Sequence, residues 1–274
     1  MSRTLEAPTS GEESMKFHLI MIIAALALTP AYGCSGGDDA KSTKSASKKD
    51  KKAKKKKKKK KGYEGGEVAN GGSIKGVIST TKEVADKMEK GLDKDENCVT
   101  DGITERKAGA LVVAEGKVAN AIVYIAKIKK GKAYTASDVT VDNNGCRYVP
   151  RVSIGHKKAQ LLTTNSDPTA HNVNVKLPGG NVFNKALPKA KKASVKLKKA
   201  GYTKISCDMH PWMEAHMMVL DNPYGVLTAA DGSYDLTDVP AGDYTVKVWH
   251  ELLGESESKV TVKAGEATAA DITL

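Results

Sequence analysis

From Gly71 onward, apolar and polar residues alternate over short runs rich in β-branched side chains. The period of two predicts half-buried strands. Candidates are 73–79, 110–114, 119–126, 138–142 and 151–154 in the first half. A second group is 159–165, 171–177, 192–197, 202–206 and 215–221, and a third is 232–237, 243–251, 258–264 and 269–274. Gly, Pro, Asn-Gly and Asp-Gly turns separate them. Only "TTKEVADKMEKGL", 80–92, has a helical pattern, and it is short. This many short strands predict an all-β chain built as one sandwich or two small ones.

Upstream the pattern changes twice. "MKFHLIMIIAALALTPAYGC", 15–34, places a short basic start and an apolar run before small residues and Cys34. It reads as an export signal, and the apolar run is too short for a settled transmembrane helix. Residues 34–70 carry almost nothing apolar and predict a disordered tether. The chain's net charge of +12 suggests nucleic acid at first sight. However, residues 41–61 hold fourteen Lys and one Asp, leaving the rest at −1. The charge belongs to one extended Lys-rich tract, which suits an anionic envelope surface or a solvated spacer and predicts no specific nucleic acid.

Candidate chemistry is concentrated in "SCDMHPWMEAHMM", 206–218, which holds one Cys, two His and four Met. A thiol, imidazoles and a thioether at such spacing can converge on one soft metal ion. Taken singly, each residue has an ordinary structural use. His156, His216 and His250 read as weaker ligand candidates, His216 as structural or solvent-facing. A hydrolytic constellation and an open three-ligand metal site are both missing from the sequence pattern, so an independent enzyme is the least favoured class.

The phrase "AHNV", 170–173, joined with Cys207-x2-His210-x2-Met213, resembles the cupredoxins, most nearly the amicyanin and plastocyanin branch. The resemblance covers about 137–221 and implies a Greek-key sandwich with one mononuclear type 1 copper. The implied ligands are His171, Cys207, His210 and Met213, with Met209 and Met217 close enough in sequence to compete for the last place. By family position Asn172 bonds across to the ligand loop. The His210 edge would reach the surface, rimmed by Pro211 and Trp212. The implied role is a periplasmic electron carrier between redox proteins such as a cytochrome or a membrane oxidoreductase complex. Copper storage, delivery or sensing is the first alternative, and a non-redox scaffold of the same shape is the second.

Two further resemblances complete the organisation. "GVLTAADGSYDLTDVPAGDYTVKVWHE", 225–251, resembles the carboxypeptidase-regulatory or transthyretin-like β-module. Residues 222–274 supply few strands for an independent core. The N-terminal β segment 71–136 is therefore expected either to pair with this module, with 137–221 inserted, or to join the preceding sandwich serially. The segment 1–33 resembles a bacterial lipoprotein signal, which implies a lipid on Cys34 and a membrane-anchored envelope location; a plain secretory signal is the alternative. With Cys34 lipidated and Cys207 a ligand, Cys98 and Cys146 remain as a disulfide pair, compatible with an oxidising compartment. Both being free, or one pairing with Cys207, stays open.

Overall fold

The alternation along the strands separates two buried cores, one on each sandwich. The computed structural model describes residues 62–274. The export-like segment 1–33, Cys34 and the Lys-rich tract 41–61 lie outside the described residues. Among the described residues no helix is long and apolar enough to cross a membrane.

The first sandwich packs two sheets. One runs Tyr148–Val149, Val139–Asn143, Gln160–Asn165, Lys192–Lys196 in spatial order. The other runs Val152–His156, Glu214–Leu220, Gly201–Ser206, His171–Lys176, Val182–Leu187. Two of the pairings are parallel, Gln160–Asn165 with Val139–Asn143 and Val152–His156 with Glu214–Leu220. Val141, Leu161, Val173, Val175, Leu197, Ile205 and Met217 fill the space between the sheets with no exposure. Val182–Leu187 is an edge strand with a mostly exposed, non-alternating pattern that periodicity does not reveal. Residues 176–204 carry nine Lys and no acid. Five of them, Lys185, Lys189, Lys191, Lys192 and Lys196, lie on or between the two edge strands, where Lys discourages edge-to-edge pairing.

The second sandwich is discontinuous in sequence. Gly72–Ser79 pairs antiparallel with Ser233–Val239, and in parallel with Ala267–Ala269 and Ile272–Thr273. Gly76 allows this, since a Cβ there would lie 2.2 Å from the Ala270 carbonyl oxygen. The facing sheet runs Gly225–Leu227, Ile122–Ile125, Gly242–His250, Gly254–Val262. Residues 137–221 thus lie between two parts of one sandwich.

The chain departs from the expected pattern in two places. The helical pattern at 80–92 forms no α-helix; Met88–Lys90 pairs with Glu105–Lys107, and Leu92–Lys94 is a single 3₁₀ turn. The Asp86 carboxylate accepts the N–H groups of Gly109, Ala110 and Leu111. These long-range bonds outweigh the weak nucleation of so short a helix. The tether assigned to 34–70 also ends early. Glu64–Gly66 pairs in parallel with Lys130–Lys132, and Tyr63 Oη donates to the Lys132 carbonyl at 2.6 Å.

A polar knot and an apolar seam join the sandwiches. Ile122, Met218 and Leu220 pack together with Tyr124 and Trp249. Beside them Arg151 makes two bonds of 2.7 Å to Glu251, whose Oε2 also receives His216 Nε2–H at 3.0 Å. His216 Nδ1 meets Tyr202 Oη at 2.7 Å, so His216 is a buried structural residue and does not face solvent. Burial would raise the Glu251 carboxyl, but the bonds from His216 and Arg151 win and bring it down to about 2. Because the folded value is depressed, its stabilisation is present above the ordinary carboxylate range and is lost as pH falls toward 2. Replacing Glu251 by Ala is therefore expected to cost about 3–5 kcal/mol at neutral pH, the usual cost of breaking a buried pair. Urea unfolding across pH should show the gap from the parent chain closing below the ordinary carboxylate range.

Candidate metal centre

The site is assembled at one end of the first sandwich from two segments. His171 opens its strand opposite Leu187. The preceding loop is fixed by Asn165, whose Nδ2 donates to the carbonyls of Thr169 at 2.9 Å and Leu187 at 2.8 Å. Cys207, His210 and Met213 lie in the loop joining Gly201–Ser206 to Glu214–Leu220. That loop closes on itself, Met213 N–H donating to the His210 carbonyl at 2.9 Å and Cys207 N–H to the Met213 carbonyl at 3.2 Å.

The nitrogen and sulfur atoms of His171, Cys207 and His210 lie within 4.8 Å of one another, and all three residues are buried. His171 Nδ1 faces His210 Nδ1 at 2.9 Å, and Cys207 Sγ stands 3.8 Å from the latter. Of the competing methionines, Met209 is 56% exposed. Met217 is a core residue, its sulfur 2.7 Å from where a Cβ on Gly155 would lie. Met213 is buried in the same apolar cluster as Cys207. The donor set suits a soft or borderline cation: two imidazole lone pairs and a thiolate-forming sulfur converge where only a proton or a cation relieves their repulsion.

Electrostatics prepare the thiol. Burial alone would raise Cys207, but the imidazoles of His171 and His210 and the backbone N–H groups of Asn172 and His210 lower it to about 6. For His171 burial would lower the value; the bond to Asp167 and the proximity of Cys207 raise it to about 9.

Asn172 locks the loop to the sheet. Its Oδ1 accepts from Asp208 N–H at 2.7 Å and Met209 N–H at 3.3 Å and lies 3.2 Å from Cys207 Sγ. The Asp208 carboxylate in turn receives Nδ2 groups from Asn172, Asn174 and Asn184 at 2.8–2.9 Å.

Two carboxylates that the sequence reading passed over stand behind the histidines. Asp167 Oδ2 lies 2.9 Å from His171 Nε2, and Asp95 Oδ2 lies 3.1 Å from His210 Nε2. Asp167 also accepts the N–H groups of Gly145 at 2.6 Å and Cys146 at 2.9 Å, where two successive positive φ angles aim both donors at it. Asp167 precedes His171 by four residues in "SDPTAH", a local signal that was legible. Asp95 is 115 residues from His210, and nothing local points to it.

Asp95 changes the expected surface. His210 was expected to present its edge to solvent, but it is 4% exposed and its outer nitrogen is covered. The cover comes from the 3₁₀ turns Leu92–Lys94 and Glu96–Cys98, drawn over the loop by the 98–146 disulfide. The rim differs as well. Pro211 is exposed, but Trp212 is buried, its Nε1 donating to the Cys146 carbonyl at 3.2 Å and its ring 5.1 Å from the His210 ring. A depression of about 380 Å³ remains there, lined by Lys90, Lys94, Asp95, Met209, His210, Pro211 and Trp212.

Comparison with known proteins locates two likenesses. Residues 210–274 match the family model of the carboxypeptidase regulatory-like domain. Among solved structures, a Cu-containing nitrite reductase from Thermus scotoductus SA-01 is similar at 20% identity over 36% of this chain and 26% of its own, with a TM-score of 0.30. An amicyanin variant in the Cu(I) state is similar at 18% identity over 30% of this chain and 82% of its own, TM-score 0.28. A purple cupredoxin from Nitrosopumilus maritimus is similar at 22% identity over 30% of this chain and 100% of its own, TM-score 0.27. No curated protein sequence matches the chain. The match therefore spans about a quarter of the nitrite reductase chain.

The structure joins Cys98 to Cys146 and leaves Cys207 as a free, buried thiol. Non-reducing peptide mapping should recover a linked 98–146 peptide with Cys207 alkylatable after denaturation. Changing both Cys98 and Cys146 to Ser should lower stability by roughly 2–5 kcal/mol, since the bond closes a 48-residue span. A double variant with parental denaturation midpoint would contradict that assignment.

Proposed function

We propose that the chain is a copper-binding electron-transfer protein of the cell envelope. The observation that carries the reading is the buried convergence of His171, Cys207 and His210 within 4.8 Å, with Met213 buried beside them. Two imidazoles, one thiolate and a weak thioether suit both oxidation states of copper. When bound, copper would supply a reversible one-electron couple. The rest is the work of the chain. His171 is anchored on a sheet strand and His210 on a loop closed by its own backbone bonds, so neither need move when charge changes. Cys207 gives up its proton readily because its surroundings already favour the thiolate. Val173, Ile205, Trp212 and Met213 belong to the same buried apolar cluster as Cys207. A redox protein such as a cytochrome or a membrane oxidoreductase is the proposed partner, and the lipid on Cys34 with the Lys-rich tract is the proposed tether.

The alternative, copper storage or delivery, has one specific observation in its favour. Met209 offers an exposed thioether at the lip of the depression that holds His210, and soft thioethers favour Cu(I). Rapid transfer of Cu(I) to an acceptor chelator without reversible voltammetry would favour this reading.

Adding one equivalent of Cu(II) to the purified chain should produce an intense visible thiolate-to-copper band. The Cys207→Ser variant should stay folded and lose it, oxygen being a harder and less covalent donor. A band that survives in Cys207→Ser would show that the thiolate assignment is wrong. Met213→Leu should keep the band and raise the reduction potential, because losing the weak thioether favours the lower charge state. An unchanged potential would remove Met213 from the ligand set.

A further inference from the structure

The copper reading assigns four ligands and leaves the segment 92–98 without a role. That segment is built to deliver one carboxylate. Asp95 Oδ1 accepts from Asn97 N–H and Nδ2, each at 3.0 Å, which holds it against its own turn. Its Oδ2 accepts from Thr169 Oγ1 at 2.7 Å, two residues before His171, and meets His210 Nε2 at 3.1 Å. Both oxygens of the carboxylate are thereby committed. The disulfide three residues later fixes the turn against Cys146, whose N–H serves the other carboxylate, Asp167. One covalent link thus holds in place the partners of both imidazoles.

Building on the copper reading, we infer that Asp95 is a positioning residue for His210. Accepting the Nε2–H leaves Nδ1 as the free lone pair, directed toward His171 Nδ1 and Cys207. The ring is then turned inward before any ion arrives. A carboxylate behind a ligating imidazole also strengthens it as a donor, and loss of such a partner commonly costs 10–100-fold in metal affinity. The negative charge acts more strongly on the more highly charged ion. Asp95 therefore favours Cu(II) over Cu(I) and holds the potential down. A loop of the same shape without the charge would not do this.

Two variants separate charge from shape. Asp95→Asn keeps an oxygen acceptor and removes the charge, whereas Asp95→Ala removes both. Competition titrations should show Cu(II) affinity falling 10–100-fold in Asp95→Ala, with Cu(I) affinity much less changed. The reduction potential should rise by about 59 mV for each tenfold change in the ratio of the two affinities. Asp95→Asn should shift the potential in the same direction by a smaller amount. In the metal-free chain at neutral pH, nitrogen NMR should find the His210 proton on Nε2 in the parent. That preference should be lost in Asp95→Ala.

Equal losses of Cu(I) and Cu(II) affinity, with an unmoved potential, would make Asp95 a loop brace and overturn the inference. A parental chain without the thiolate-to-copper band would sink the copper reading. The metal-free NMR would still decide the positioning claim, since a proton on Nδ1 of His210 in the parent overturns it.

Discussion

Two imidazole nitrogens, His171 Nδ1 and His210 Nδ1, are held 2.9 Å apart with the Cys207 thiol beside them. Three electron-rich groups in a water-poor pocket repel one another unless positive charge lies between them. The Asp167 carboxylate, 2.9 Å from His171 Nε2, raises the pKa of His171 against the effect of burial and so favours positive charge at this point. The rest of the first sandwich serves to keep this arrangement from relaxing. Asn165 fixes the approach to His171, Asn172 ties the ligand loop to the sheet, and the loop's own backbone bonds set where His210 and Met213 stand. A site held this firmly by its surroundings suits an ion that must change charge with little change in geometry.

The second sandwich contributes differently. Its strands come from both sides of the first sandwich in sequence, so the two cannot drift apart along a flexible linker. The Arg151–Glu251–His216 cluster and the Met218 seam add direct contact. From the end of Gly72–Ser79 the chain makes its excursion toward the ligand loop, places Asp95 behind His210, and returns to the second sandwich at Val113–Ala114. The second sandwich thus launches the segment that covers His210.

Much of this was legible in the residues. Alternation found most of the strands because those strands have one buried and one exposed face, as in Gln160–Asn165. The convergence of His171, Cys207 and His210 was legible because Cys207 and His210 share one short loop and "AHNV" marks the neighbouring strand. Val182–Leu187 was missed because only Phe183 and Leu187 along it are even partly buried, which leaves no period of two. The helix expected near 80–92 failed because Asp86 bonds far outside its own window. His210 was expected at the surface because nothing near it in sequence covers it. Its cover is a carboxylate brought from 115 residues away by a disulfide and two short turns. Sequence patterning reports local periodicity, and the closure of this site is a long-range property.

The most direct test of the account is X-ray absorption at the copper edge on the loaded chain, compared with its Cys207→Ser variant. The account predicts a first shell of two imidazole nitrogens and one short sulfur, the sulfur contribution disappearing in the variant. A first shell of nitrogen and oxygen alone in the parent chain, unchanged by the substitution, would contradict it.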